Sequence, residues 1–347
     1  MHSKSATPTT QTAKPLAVRR LGRFLITREL GRGTLGAVFV GHDPVIDRDV
    51  AIKTFHPKLH PIERRQFDEQ FINEARAAGR LSHPNIVTIF EASNEGAETY
   101  IAMELLQGSP LNQVLDAGHP FSFEDIASII WRLADALAHA HEHQVVHRDI
   151  KPANIFLVDN DQPKLVDFGI ARTPNRLAQA NNNEEAPTTL FRTNRLGTPN
   201  YMSPEQARGD AVDYRTDIYS LGAVMYEMLT GRKPFISRDT DKLLQMIAFK
   251  TPHKPHELNK TVPVALSRIT MKAMHNSADL RYQHANEMMQ EINRFLVDGR
   301  QVLRNQKTAS VPHNRPHISR FAGNRSRLIA GITLIGVIVT ALLACLR

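Results

Sequence analysis

The stretch HRDIKPANI, residues 147–155, places an acid, two bases and an amide within nine positions. Asp149, Lys151 and Asn154 stand at offsets 0, +2 and +5, just before an apolar run. A carboxylate can take a proton, a cation can neutralise phosphate charge, and an amide oxygen can ligate a hard metal ion. Together they suit phosphoryl transfer, which needs positioning and charge stabilisation rather than covalent chemistry.

Other stretches fit the same chemistry. GRGTLGAV supplies Gly31, Gly33 and Gly36 between two strand-like runs, FLITREL and AVFVGHD. G-x-G-x-x-G also marks dinucleotide-binding folds, but there a helix follows it, and here a strand does. A flap closing over phosphates fits better, with Leu30 and Val38 gripping an adenine. Lys53 lies in DVAIKTF, an apolar strand where an ammonium needs a partner. Glu74, on the helix expected in RRQFDEQFINEARAAGRL, is the natural partner, and ATP phosphates are the natural cargo. In VDFGIA, Asp167 follows a β-rich run, where a carboxylate can hold Mg2+; Phe168 gives an apolar anchor and Gly169 a hinge.

Around these stretches the chain changes character. VTIFEA and TYIAMELL read as two further strands, so 24–105 is a small sheet-rich lobe with one main helix. Beyond it the pattern turns helical. Ser122 and Asp125 form a capping box, followed by a stripe of Ile126, Ile129, Ile130, Leu133 and Leu137. DIYSLGAVMYEMLTG reads as a buried helix stopped at Gly231. TPNRLAQANNNEEAPTTLFRTN, residues 173–194, is too long and polar for an ordinary loop.

The chain of 347 residues has a net charge of +8, which invites a nucleic-acid reading. The tails carry that charge. Residues 1–23 hold five Lys or Arg and no acid, and 297–327 hold seven against one Asp. Residues 24–296 are left with 30 basic and 34 acidic groups, so a nucleic-acid partner is not expected. One cysteine, Cys345, excludes an internal disulfide framework. His139, His141 and His143 read as a polar helix end rather than a metal site. Residues 1–23 are expected to be disordered, and 297–327 to be a basic juxtamembrane linker. Residues 328–346 contain no charge. As a helix they would be roughly 28 Å long, which matches a hydrocarbon core. They are expected to form a single transmembrane helix, with the basic flank and the N-terminal part in the cytoplasm. Only Arg347 follows, which argues against direct sensing of an external ligand. Gly336, Thr340 and Ala344 share a helix face on which a homodimer could pack.

GxGxxGxV, AIK, HRDIKPAN, DFG and GTPNYMSPE occur in this order, and together they resemble the protein kinase signature. SPEQARGD, DIYSLG and RYQHANEM are most similar to bacterial Ser/Thr kinases of the eukaryotic-like, Hanks type. The resemblance covers 24–296 and implies an α+β, bilobal fold with a β-rich N-lobe (24–105) and a helical C-lobe (106–296). It implies transfer of the ATP γ-phosphoryl to Ser/Thr hydroxyls of protein substrates, with activation-loop autophosphorylation. It also implies Mg2+, or Mn2+ in its place, as the ion.

The resemblance further implies roles for single residues. Asp149 would deprotonate the acceptor hydroxyl and Lys151 would stabilise the transferring group, while Asn154 and Asp167 would hold the metal. Lys53 and Glu74 would position phosphates. Leu30, Val38, Ala51, Met103 (the gatekeeper), Glu104 to Leu106 (the hinge) and Phe156 (the floor) would surround the adenine. Thr198 would contact Asp149 and Lys151, Glu205 would pair with Arg281, and Asp217 would brace the catalytic loop. Thr188, Thr189 and Thr193 are candidate phosphosites whose phosphates could bridge Arg148, next to Asp149, and Arg172 and Arg192, nearby in sequence. Ile150 replaces the commoner Leu, and SPE the commoner APE. Two rival readings are a pseudokinase scaffold that binds ATP without transfer and a small-molecule kinase. Intact Lys53, Asp149, Asn154 and Asp167 oppose the first, and GTPNYMSPEQ opposes the second.

Overall fold

The computed structural model describes residues 19–32, 36–55, 61–94, 98–159, 161–168 and 199–309, without the side chains of 61–67, 70, 74 and 299–309. Gly33, Gly169, the 173–194 segment with Thr188, Thr189 and Thr193, Thr198 and the apolar stretch 328–346 lie outside these residues. Among the described residues no helix is long and apolar enough to cross a membrane.

The first part of the chain is one antiparallel sheet with a helix. Its strands are β1 (Arg20–Leu21), β2 (Phe24–Arg32), β3 (Gly36–Asp43), β4 (Arg48–Phe55), β5 (Ile89–Ser93) and β6 (Thr99–Glu104). Their order is β1-β2-β3-β4-β6-β5, with α1 (Pro61–Ala78) inserted between β4 and β5. The two-residue alternation of a strand sorts β4. Val50 and Ile52 pack with Phe24, Tyr100 and Ala102 on one face. Ala51 and Phe55 pack with Ile101, Met103 and the α1 residues Phe71, Ile72 and Ala75 on the other. Lys53 therefore projects on the α1 side. The folded part begins earlier than the sequence reading places it. Arg20 and Leu21 pair with Leu25 and Phe24 across a turn in which Gly22 has φ +55°.

A second sheet, β7 (Gly108–Pro110), β8 (Ile155–Val158) and β9 (Gln162–Leu165), opens the helical part. The helices are α2 (Leu111–Asp116), α3 (Phe123–Glu142), α4 (Pro204–Arg208), α5 (Arg215–Thr230), α6 (Thr240–Phe249), α7 (Pro255–Leu258), α8 (Val264–Ala273) and α9 (Ala285–Ala309). The capping box of α3 is present, with Asp125 N donating to Ser122 Oγ at 3.0 Å and Ser122 N to Asp125 Oδ2 at 3.1 Å. Its whole expected stripe is buried against α5 and β9. α5 ends at Gly231, left-handed at φ 67°, as expected.

One main core gathers α3, α5, α8 and α9 with β8 and β9, and it also takes in Leu81 and Ile86 from the α1–β5 connection. The chain divides into two compact units, Met1–Gln301 and Val302–Arg347. Of the second, only the end of α9 is described. Residues 297–309, expected as the start of a linker, instead continue that helix.

Candidate active site

Asp217, at the start of α5, fixes the catalytic loop. Its side chain is completely buried and accepts from His147 N at 2.8 Å, Arg148 N at 2.7 Å and His141 Nε2 at 2.9 Å. Burial raises its pKa, but the hydrogen bonds from His141 and from the His147 backbone outweigh that and hold it below the usual carboxylate value. Arg148 takes a left-handed backbone, φ 63°, which few non-glycine residues adopt. The two N–H bonds to Asp217 hold it there.

His147 links the catalytic loop to the segment after β9. Its Nδ1 accepts from Asp149 N at 3.3 Å and its Nε2 donates to Val166 O at 3.1 Å. Burial lowers its pKa, so the ring is neutral at pH 7, with the proton on Nε2. It also lies 4.6 Å from the Phe168 ring.

The opening motif closes on itself. Asp149 Oδ2 accepts from Lys151 Nζ at 2.8 Å and from Asn154 Nδ2 at 2.9 Å, and Asn154 Nδ2 also reaches Asp149 O at 2.8 Å. Val166 N donates to Asn154 O at 3.0 Å, which sets the segment after β9 that carries Asp167 beside this loop. Asp167 is itself left-handed, φ 60°, and its Oδ1 meets Lys53 Nζ at 2.7 Å. Burial raises the Asp167 pKa, but the Lys53 ammonium more than offsets this, leaving a carboxylate. The partner described for Lys53 is therefore Asp167. The side chain of Glu74, its expected partner, lies outside the described residues.

Strand register assembles the adenine-side residues. Gly31 faces Val38, Val38 faces Lys53, and Ala51 faces Met103 across neighbouring strands. Cross-strand partners share a face, so Val38, Ala51, Lys53 and Met103 form one lining. Leu30 is exposed at its rim, and Phe156 lies partly buried on β8. A Cβ on Gly36 would come 1.8 Å from Thr54 O, so that glycine is required by the approach of β4. Glu104 N donates to Thr88 O at 2.9 Å, and its carboxylate is gripped by Lys164 Nζ at 2.9 and 2.8 Å. Lys164 was not singled out in the sequence, where it reads as one more exposed strand lysine.

Below the loop, Arg281 meets both oxygens of Glu205 at 2.7 Å, and both side chains are buried. Burial raises the Glu205 pKa, and the Arg281 bonds reverse the shift and hold it low. Gln206, the next residue, donates to Arg148 O at 2.9 Å. It also forms a capping box with Ser203, and nothing in the sequence signalled its bond to the catalytic loop.

The protein kinase domain model matches residues 24–297. The chain belongs to the protein kinase family. The chain is 36% identical over 298 residues to a probable serine/threonine-protein kinase of Clostridium acetobutylicum, covering 83% of this chain and 43% of that protein. It is 36% identical to serine/threonine-protein kinase PrkC of Bacillus subtilis, covering 78% and 40%, and 35% identical to PknB of Mycolicibacterium smegmatis, covering 78% and 43%. The chain thus spans less than half the length of the curated relatives it matches. Its fold is similar to that of the PknI kinase domain of Mycobacterium tuberculosis, with a TM-score of 0.62 at 23% identity, covering 81% of this chain and 99% of that one. That likeness confirms the expected bilobal fold.

Proposed function

We propose that this kinase transfers the γ-phosphoryl of ATP to Ser or Thr hydroxyls of protein substrates. The observation that carries the reading is the Asp149 carboxylate, held by Lys151 and Asn154 beside the Lys53–Asp167 pair. As the acceptor oxygen attacks the γ-phosphorus and the bond to ADP breaks, Asp149 receives the hydroxyl proton. Lys151 faces the charge on the transferring group, and its position at +2 favours Ser/Thr over Tyr. Lys53 is placed to meet phosphate oxygens. Leu30, Val38, Ala51, Met103 and Phe156 bury the adenine, and the backbone at Glu104 to Leu106 reads its edge. The glycines at 31, 33 and 36 are the residues that would let the turn between β2 and β3 close over the phosphates.

The donor set fits Mg2+. Asp167 is a carboxylate, and the Asn154 nitrogen is committed to Asp149, so the amide oxygen is left to meet a cation. Among the described residues no cluster of three His, Cys, Asp or Glu could hold a metal alone. Mg2+ at phosphate sites is commonly held by one or two carboxylates with the phosphates themselves. When bound, the ion neutralises phosphate charge.

The test compares wild type with Asp149→Asn. Loss of a general base costs about 10²–10⁴-fold in turnover. Phosphoryl transfer should fall by that much while ATP binding persists, whereas Lys53→Met should misplace the phosphates and also lose activity. Near-wild-type turnover by Asp149→Asn would refute the reading.

The apolar stretch 328–346 supports a C-terminal membrane anchor. The arginines at 315, 320, 325 and 327 support a cytoplasmic kinase domain whose flank lies along anionic lipid. Full-length protein should then resist alkaline carbonate extraction, and a chain ending at Arg327 should be soluble and active. Phosphorylation at Thr188, Thr189 or Thr193 would add negative charge that Arg148, Arg172 and Arg192 could bridge. Replacing the three threonines by Ala should lower activity on an added substrate.

A further inference from the structure

One peptide group joins Arg148 to Asp149, and its plane sets where the Asp149 carboxylate points. Its oxygen accepts from Gln206 Nε2 at 2.9 Å, and its N–H makes the longer contact to His147 Nδ1 at 3.3 Å. The peptide on the other side of Arg148 is held through its N–H by Asp217. Arg148 lies between them at φ 63°, a conformation its side chain does not favour, so these bonds define the turn.

Gln206 uses both ends of its amide. Its Oε1 accepts from Ser203 N at 3.0 Å, which caps α4, while Nε2 reaches the catalytic loop. α4 is fixed in turn. Ser203 Oγ lies 2.6 Å from Thr216 Oγ1 on α5, and Glu205 is bonded to Arg281. We infer that Gln206 is a positioning residue for Asp149, carrying the placement of α4 to the catalytic carboxylate through the carbonyl of Arg148. The inference rests on the phosphoryl-transfer reading above.

Gln206→Glu separates this role from simple helix capping. Glutamate keeps the acceptor for Ser203 N but replaces the donor facing Arg148 O with a second acceptor. The full-length protein is assayed with Mg-ATP and dephosphorylated casein. In Gln206→Glu, kcat should fall roughly tenfold or more, which corresponds to about one hydrogen bond. KM for ATP should stay within about twofold, and the melting temperature should stay near wild type. Part of the activity ratio to wild type should return as pH falls, since the introduced carboxyl, once protonated, can donate again. Gln206→Met, which lacks both functions, should lose at least as much kcat and also melt earlier.

Turnover of Gln206→Glu within about twofold of wild type would overturn the inference. So would losses in both variants that follow the melting temperature alone. If wild type transfers nothing to casein, the functional reading fails. The bond is then judged from the 15N shift of the Asp149 amide, which responds to hydrogen bonding at the preceding carbonyl. That shift should move in Gln206→Glu, and an unmoved shift would overturn the inference.

Discussion

Arg281→Met should be among the most damaging single changes in the helical part. Arg281 Nε donates to His275 O at 2.7 Å, its two terminal nitrogens meet Glu205, and further contacts reach Arg215 O and Asn276 O at 3.2 Å. The guanidinium carbon lies 5.0 Å from the centre of the Tyr219 ring. Only 3% of Arg281 is exposed. Methionine fills similar volume but leaves the Glu205 carboxylate buried without its counter-ion. Breaking a buried pair in this way costs about 3–5 kcal/mol. At about 2–4 °C per kcal/mol for a domain near this size, the melting temperature should drop by roughly 10 °C. Differential scanning fluorimetry of the full chain at pH 7.5 measures it. The double variant Glu205→Met/Arg281→Met should be more stable than Arg281→Met, because no lone charge remains. It should stay below wild type, because three carbonyls still lack their donor. A single variant within about 2 °C of wild type, or a double variant no better than the single, would refute the reasoning.

Three further outcomes are expected. Lys164→Ala frees the Glu104 carboxylate at the hinge. A partly exposed pair contributes up to about 1 kcal/mol, so KM for ATP should rise roughly fivefold with kcat unchanged, which an ATP titration checks. His147 has its pKa lowered by burial in the folded protein, so below about pH 6.5 the unfolded chain takes up the proton first. Its contribution is complete above that pH and is lost as pH falls; melting curves should show stability declining from pH 6.5 to 5, with a shallower slope in His147→Phe. A Cβ at Gly222 would lie 2.8 Å from Ala273 Cβ and 2.9 Å from Met274 Cγ, so Gly222→Ala should cost about 1–3 kcal/mol by overpacking. Gly222→Ala/Ala273→Gly should recover part of that loss in urea unfolding.

The sequence was most informative where one local rule decided the outcome. Strand alternation put Lys53 on the face of Ala51 and Phe55, and the capping box started α3 at its observed position. The Asp149, Lys151 and Asn154 cluster was legible because it spans six residues and bonds to itself. Contacts across long sequence separations were harder to read. Glu205–Arg281 and the Asp217 brace came from family resemblance. Lys164–Glu104 and Gln206–Arg148 were not seen, since an amide or a lysine on a short element carries no mark of its distant partner. β1 lies just outside the 24–296 outlined from the sequence and went unseen because two residues are too short for a periodicity. The continuation of α9 past 297 went unseen because it runs into polar, basic sequence.

The α1–β5 connection has an uneven allegiance. By chain order it belongs to the sheet-rich lobe, yet Leu81 and Ile86 lie in the core of the helical one. Asn85 Nδ2 donates to Pro163 O at 2.7 Å, Leu165 N donates to Asn85 O at 2.8 Å, and Val87 N donates to Leu165 O at 2.9 Å. Hydrogen exchange should therefore divide the small lobe against its own connectivity. Amides of β1 and β2, covered by one small apolar cluster, would exchange through cheap local openings. The amide of Val87 would wait for the rarer opening of the helical core, so part of the smaller lobe would take its lifetime from the larger.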